Sequence, residues 1–293
     1  MTSPKEIKST DSNEVNELVS KAFGYIEPHS FFDDFPIWVT PLSEIVRLGI
    51  KVEHKLVSHV GIRFCDMQIE GSLMPVALIG AVATDEKYRG KGLSTSLLNE
   101  ALALIDKRGC EWSLLWGSEH NFYARLGFKL EGQQTRVSIA HLPGNLKNKF
   151  NFIPSAGEFA KISVGFTEAI FNYLVQEKSG IKIYLKDRPW IFAHKTIQWL
   201  SINDPFSFIA FERGMDLKHI VHEFGGNISG VHRLLSMIQS QDPAAQVMGK
   251  KDAALSLGFK ESDLILEYLC LARPKNSSIQ WNPAIWVGGI SAV

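Results

Sequence analysis

Two short stretches of this sequence hold residue types and spacings that could do chemistry. The first is Arg89-Gly-Lys-Gly-Leu-Ser94. Glycines leave backbone N–H groups uncovered and let a ligand approach closely. The residues that follow, Leu97, Leu98, Ala101, Leu102 and Ile105, recur at helical spacing. A helix N-terminus therefore points unpaired donors and a partial positive charge at the same spot, with Arg89 and Lys91 adding cations. That combination suits a pyrophosphate. The spacing matches neither the GxxxxGK[ST] loop nor the GxGxxG fingerprint. A glycine turn before an ordinary helix is the plainer alternative. The second stretch runs from Gly117 to Phe128 and contains Ser118, Glu119, His120 and Tyr123. A positioned phenol is a proton donor; the plainer reading of Tyr123 is an aromatic packing its helix onto a sheet.

The elements that must position these residues can be read in order. Lys5–Thr10 reads as a short strand. A helix follows from Asp11 or Ser12 through Val15, Leu18 and Val19, stopped by Gly24. Phe31–Val39 is aromatic and interrupted by Pro36, a short helix or a lid. Ile50–Glu53, Val57–Gln68 and Leu73–Thr84 read as strands, the last two separated by Glu70-Gly71-Ser72. After the glycine loop and its helix, Glu111–Trp116 reads as a buried strand, Glu119–Leu126 as a short helix, and Phe128 opens another strand. The first 145 residues thus form an α/β or α+β domain.

Residues 141–155, with Pro143, Gly144, Pro154 and three asparagines, read as a linker. The second half, 146–293, repeats the plan faintly. Phe166–Glu177 and Pro189–Leu200 read as helices, Phe206–Arg213 and Leu217–Phe224 as strands, and Ile228–Gln239 as a helix. Ala254-Leu-Ser-Leu-Gly-Phe259 echoes Ala124-Arg-Leu-Gly-Phe128. A duplicated domain is the expectation. Its counterpart of the glycine loop, His222-Glu-Phe-Gly-Gly-Asn227, lacks an arginine and presents Glu223, and Ala254 stands where Tyr123 does.

Arg89–Ser94 fits the R/Q-x-x-G-x-G/A motif of the GNAT superfamily, with serine in the last place. Gly117–Phe128 is similar to that family's second cofactor-contacting segment. The first 140 residues resemble a GNAT N-acetyltransferase domain, and the whole plan resembles tandem GNAT proteins related to the enhanced-intracellular-survival acetyltransferases. The resemblance implies a mixed central sheet flanked by helices, followed by a second, degenerate GNAT-like domain. It implies acetyl-CoA as co-substrate. Val82, Ala83 and Thr84 would offer backbone groups to the pantetheine arm and acetyl carbonyl, and Arg89, Gly90, Lys91, Gly92, Leu93, Ser94 and Thr95 would hold the pyrophosphate. Ser118 and Glu119 would lie beside the cofactor, and Tyr123 would protonate the departing thiolate. The base is not legible; Glu119, His120, Glu27, His29 and Asp85 are candidates. Phe31, Phe32, Phe35 and Trp38 either line the acceptor pocket or are core. A silent acyl-CoA sensor or an interaction protein on the same scaffold are the alternatives.

Composition narrows the partners. Lys plus Arg and Asp plus Glu both total 31, giving a formal net charge of zero. A dedicated nucleic-acid binder carries a basic excess, so none is expected. Cys65, Cys110 and Cys270 are odd in number and far apart, so neither a disulfide framework nor a zinc site is expected, and a reducing, cytoplasmic setting fits. No apolar run reaches membrane-spanning length. The expected partner is a small-molecule or peptide amine, with homo-oligomerisation possible.

Overall fold

The computed structural model describes residues 3–143 and 164–291. Most of the expected linker, 144–155, lies outside them. The first sheet starts with β1 (Lys5–Glu6), followed by α1 (Ser12–Phe23), whose Val15, Leu18 and Val19 face inward. Gly24, at φ 78°, ends α1 in the left-handed conformation that a residue without Cβ adopts most easily. The aromatic stretch is α2 (Phe31–Asp34) and a 3-10 turn at Pro36–Val39. Then come β2 (Ile45–Val52), β3 (Lys55–Ile69), β4 (Ser72–Thr84), α3 (Leu93–Lys107), β5 (Trp112–Leu115), α4 (His120–Ala124), β6 (Lys129–Glu131) and β7 (Gln134–Ser138). The described part of the second half holds α5 (Val164–Gln176), β8 (Gly180–Ile181), α6 (Arg188–Ile191), β9 (Gln198–Asn203), β10 (Phe206–Phe211), β11 (Ile220–Gly226), α7 (Ile228–Gln241), β12 (Gln246–Gly249), α8 (Lys251–Ser256), β13 (Ile265–Glu267) and β14 (Cys270–Pro274).

The helix expected over 189–200 is a correction. Only one turn, α6, forms, with Pro189 in its first turn where the missing N–H costs nothing. Gln198–Asn203 then pairs along its full length with β10 as a strand.

Two mixed sheets result. The first runs β1-β2-β3-β4-β5-β14-β6, with β8 added to β3; the second runs β13-β7-β12-β11-β10-β9. In each sheet one pair is parallel, β4 with β5 and β11 with β12, and a helix (α3 or α7) joins its two strands. The duplication extends to the turn after the short helix. Gly127 at φ 87° and Gly258 at φ 80° follow α4 and α8, and Phe128 and Phe259 donate back to the carbonyls of Tyr123 and Ala254.

The halves exchange strands: the first sheet takes β8 and β14 from the second half, and the second sheet takes β7 from the first. β14, from the second half, lies between β5 and β6 of the first sheet. β7, from the first half, lies between β12 and β13 of the second. A cut at 145/146 therefore separates both strands from the sheets they complete. The hydrophobic core is shared too: Trp38, Leu56 and Ala83 belong to one cluster with Ile170, Trp190 and Phe208.

Candidate active site

The site is built on an irregularity in β4. Opposite Val60, β4 carries two residues, Ala81 and Val82, so the strand bulges. Ala81 sits at φ 51°, an uncommon conformation for a residue with a Cβ. His59, fully buried on β3, holds the bulge by hydrogen-bonding its Nδ1 to the Ala81 carbonyl at 2.8 Å. Burial pushes the His59 imidazole down to about 4, so it is neutral, Nδ1 donates, and Nε2 has no protein partner. β5 pairs with β4 only as far as Ile79, opposite Leu115. Beyond that point the two parallel strands part, and among the described residues no strand pairs with β4 on that side.

A cleft of about 440 Å³ fills the gap, and Gly80, Ala81, Val82, Gly117, Glu119 and Tyr123 are among its walls. Tyr123 is 8% exposed, packed edge-on against Phe122 and Phe128. Its ring lies against Gly117, where an added Cβ would stand 3.0 Å from Cε2. Burial, and then the Glu119 carboxylate, raise the phenol above its ordinary value. Tyr123 thus holds its proton at neutral pH and faces the cleft with it.

At the outer end of β4, the glycine loop is an open backbone turn. Gly90 and Gly92 have φ 73° and 75°, and no atom lies within 4 Å of where their Cβ atoms would be. Gly92 is the N-cap of α3 and provides no side-chain cap. The backbone donors of the first turn of α3 thus have no side-chain cap from Gly92. Thr84 ties strand to helix: its hydroxyl hydrogen-bonds the Ser58 hydroxyl at 2.7 Å and the Ser94 hydroxyl at 2.6 Å. Arg89 Nε donates to the Thr84 carbonyl at 3.3 Å, and Lys91 Nζ sits 4.8 Å over the Tyr88 ring. Ala83 and Thr84 are buried, Leu93 and Ser94 half-buried, and Thr95 exposed. Ser118 and Glu119 stand exposed across the cleft, just before α4.

The candidate bases sort themselves. Glu27, His29 and His120 are exposed and do not line the cleft. Asp85 faces away from it, capping Lys87 N at 3.0 Å and pairing with Lys21 at 3.4 Å. Phe31 and Phe35 line the cleft, whereas Trp38 is fully buried core and Phe32 packs against that core.

Residues that sequence reasoning passed over complete the cleft. Tyr25 lines it, and so do Met215 and Asp216 from the second half. The Tyr25 hydroxyl donates to Asp34 at 2.5 Å. Asp34 stands out in the sequence as a carboxylate inside the apolar run Phe31–Val39, which was the available signal.

The corresponding place in the second half is not a cradle. The Asn227 side chain accepts from Ser229 N at 2.9 Å and Gly230 N at 3.4 Å, so α7 is capped by its own sequence. Glu223, expected to oppose an anion there, instead accepts from Ile290 N at 3.3 Å. Among the described residues, Glu212, His219 and Asp242 are close enough to hold a metal, but they lie outside the cleft, and His219 Nδ1 already hydrogen-bonds Asp242 at 2.6 Å.

Comparison with known proteins agrees with this geometry. Residues 3–130 match the family model described as an acetyltransferase (GNAT) domain. The chain is also similar to three solved structures over 94% of its length. They are a probable N-acyltransferase from Enterococcus faecalis (17% identity, TM-score 0.66, 73% of that chain), a GCN5-related N-acetyltransferase from Kribbella flavida (18%, 0.62, 71%) and Eis1 from Mycobacterium abscessus (13%, 0.60, 74%). At these identities the likeness is one of fold, and it runs through both sheets. No curated protein matches. The family match ends inside β6, so it leaves out β7, the strand the first half passes to the second sheet.

Proposed function

We propose that this protein is an acetyl-CoA-dependent N-acetyltransferase that moves the acetyl group to a primary amine of a small molecule or peptide. Direct attack in a ternary complex, at one site per chain, is the reading that fits best. The observation that carries it is the cleft between the bulged β4 and the buried Tyr123, with β4 running on into the glycine loop and the uncapped N-terminus of α3.

The residues present suit the co-substrate. Open space beside Gly90 and Gly92 admits a pyrophosphate against the backbone amides from Gly90 to Thr95, with Arg89 and Lys91 supplying positive charge. Val82, Ala83 and Thr84 offer strand-edge backbone groups to an extended pantetheine arm, as a missing β5 would. Ser118 and Glu119 flank it on the far side.

Acetyl-CoA supplies a thioester whose carbonyl an amine can attack. Backbone N–H groups at the β4 bulge stabilise negative charge developing on the carbonyl oxygen. Tyr123 delivers a proton to the departing sulfur, a service worth about 10²- to 10⁴-fold. The apolar walls, Phe31 and Phe35 among them, exclude water from the reaction. Screening an amine library with acetyl-CoA, reading thiol release, tests the proposal. Turnover that depends on Tyr123 supports it; tight acetyl-CoA binding with no turnover on any amine would make the chain a silent acyl-CoA binder.

A further inference from the structure

We propose that the turn Arg213–Asp216, contributed by the second half, is the acceptor-recognition element of the cleft, and that Asp216 selects amines carrying a second positive charge. The inference rests on the acetyltransferase reading and names its substrate class. Met215 and Asp216 line the same cleft as Tyr123. Among the described residues, the charged groups lining that cleft are two carboxylates, Asp216 and Glu119; no lysine, arginine or histidine joins them. Part of the remaining wall is aromatic, with Phe31 stacked between Phe23 at 5.6 Å and Phe35 at 4.7 Å. Ring faces and carboxylates together attract an ammonium ion.

Asp216 is aimed rather than merely present. Arg213 grips both its oxygens, Nε donating to Oδ1 at 3.3 Å and Nη2 to Oδ2. The Arg213 side chain is 3% exposed and its guanidinium lies 4.5 Å over the Phe35 ring. The Asp216 side chain is 41% exposed, so the acceptor positions that Arg213 leaves are open to a ligand.

The turn itself is locked onto the first half by Asp34, 1% exposed. That carboxylate accepts from Tyr25 at 2.5 Å, Thr196 at 2.7 Å and Met215 N at 3.3 Å. Gly214, at φ 51°, passes so close that any Cβ would overlap the Asp34 carboxylate. Two carboxylates, Asp216 and Glu119, stand in the lining and the Arg213 guanidinium backs the first of them, so the lining is acidic on balance. A cationic tail is drawn in and an anionic one repelled.

The test compares three amines of one length: 1,5-diaminopentane, pentylamine and 5-aminopentanoate. Calorimetry in the presence of CoA should show the diamine binding at least about 30-fold more tightly than the aminopentanoate. Asp216→Asn should raise the KM of the diamine about tenfold, leave kcat within about threefold, and change pentylamine little. Asp216→Glu should keep the preference, and Asp216→Lys should reverse it toward the aminopentanoate. Equal binding of diamine and aminopentanoate by the unaltered protein, or no diamine binding, overturns the proposal without any variant having to fold. Diamine binding that depends on Asp216, with no thiol released from any amine, would sink the catalytic reading and leave this one standing.

Discussion

Tyr123 keeps its proton because of where α4 puts it. The phenol is packed between Phe122 and Phe128, and both burial and Glu119 oppose its ionisation. Tyr123→Phe keeps the ring and removes only the donor. Turnover should fall about 10- to 10³-fold in kcat with little change in KM, the pattern of an interaction made in the transition state. Steady-state kinetics over pH 6–9 checks this, and kcat retained within about twofold would remove Tyr123 from the acid's role. The setting of Tyr123 was legible because it is local, Leu126 and Phe128 closing a turn on its own carbonyl, whereas its role as acid came only from the family resemblance. His59 was not. Nothing adjacent to it in sequence reveals that its ring reaches Ala81, 22 residues away, to pin a bulge.

At the scale of elements, the contrast between α3 and α7 decides how many ligands bind. Gly92 leaves the α3 N-terminus open and Asn227 closes that of α7. A calorimetric titration with acetyl-CoA should give one site per chain. Gly92→Asp places a carboxylate where the phosphates would lie and forces a side chain into φ 75°. Affinity should drop by about 10² or more, since unit charges 4 Å apart repel by about 4 kcal/mol at an effective dielectric near 20. Unchanged affinity would rule out the loop as the cradle. The loop and α3 could be read from glycine chemistry and helical periodicity. The element over 189–200 could not, because its apolar residues suit either period and only pairing with β10 settles it as a strand.

For the whole molecule, the shared core and the traded strands make the halves mutually dependent. A fragment ending at residue 143 would leave β5 and β6 without β14 between them, and β7 without a sheet. It is expected to aggregate or to lack a cooperative urea transition, checked by gel filtration and denaturation; a monomeric fragment with a sharp transition would refute that dependence. β14 was illegible as a member of the first sheet because Cys270-Leu-Ala272 marks it as buried without saying against what. Acid should weaken the molecule as well. Burial holds His59 near 4 and His194 and His222 near 3, below the ordinary 6.5. Between those values the unfolded chain binds protons that the folded chain does not, so stability is present above pH 6.5 and is lost as pH falls toward 4. Each histidine should cost about 2 kcal/mol between pH 7 and pH 5, and urea midpoints across that range measure the sum.

The position of β14 also sets a schedule for the protein's manufacture. A ribosome releases the glycine loop and Tyr123 early, yet the strand that belongs between β5 and β6, Cys270–Pro274, is made about 140 residues after β6. At 5–20 residues per second the interval from β6 to β14 is on the order of ten to thirty seconds. For that time the nascent first sheet has β5 and β6 without their partner. The first sheet can therefore close only once β14 has been made, and a transcript cut short anywhere before β14 is expected to yield no active half-product.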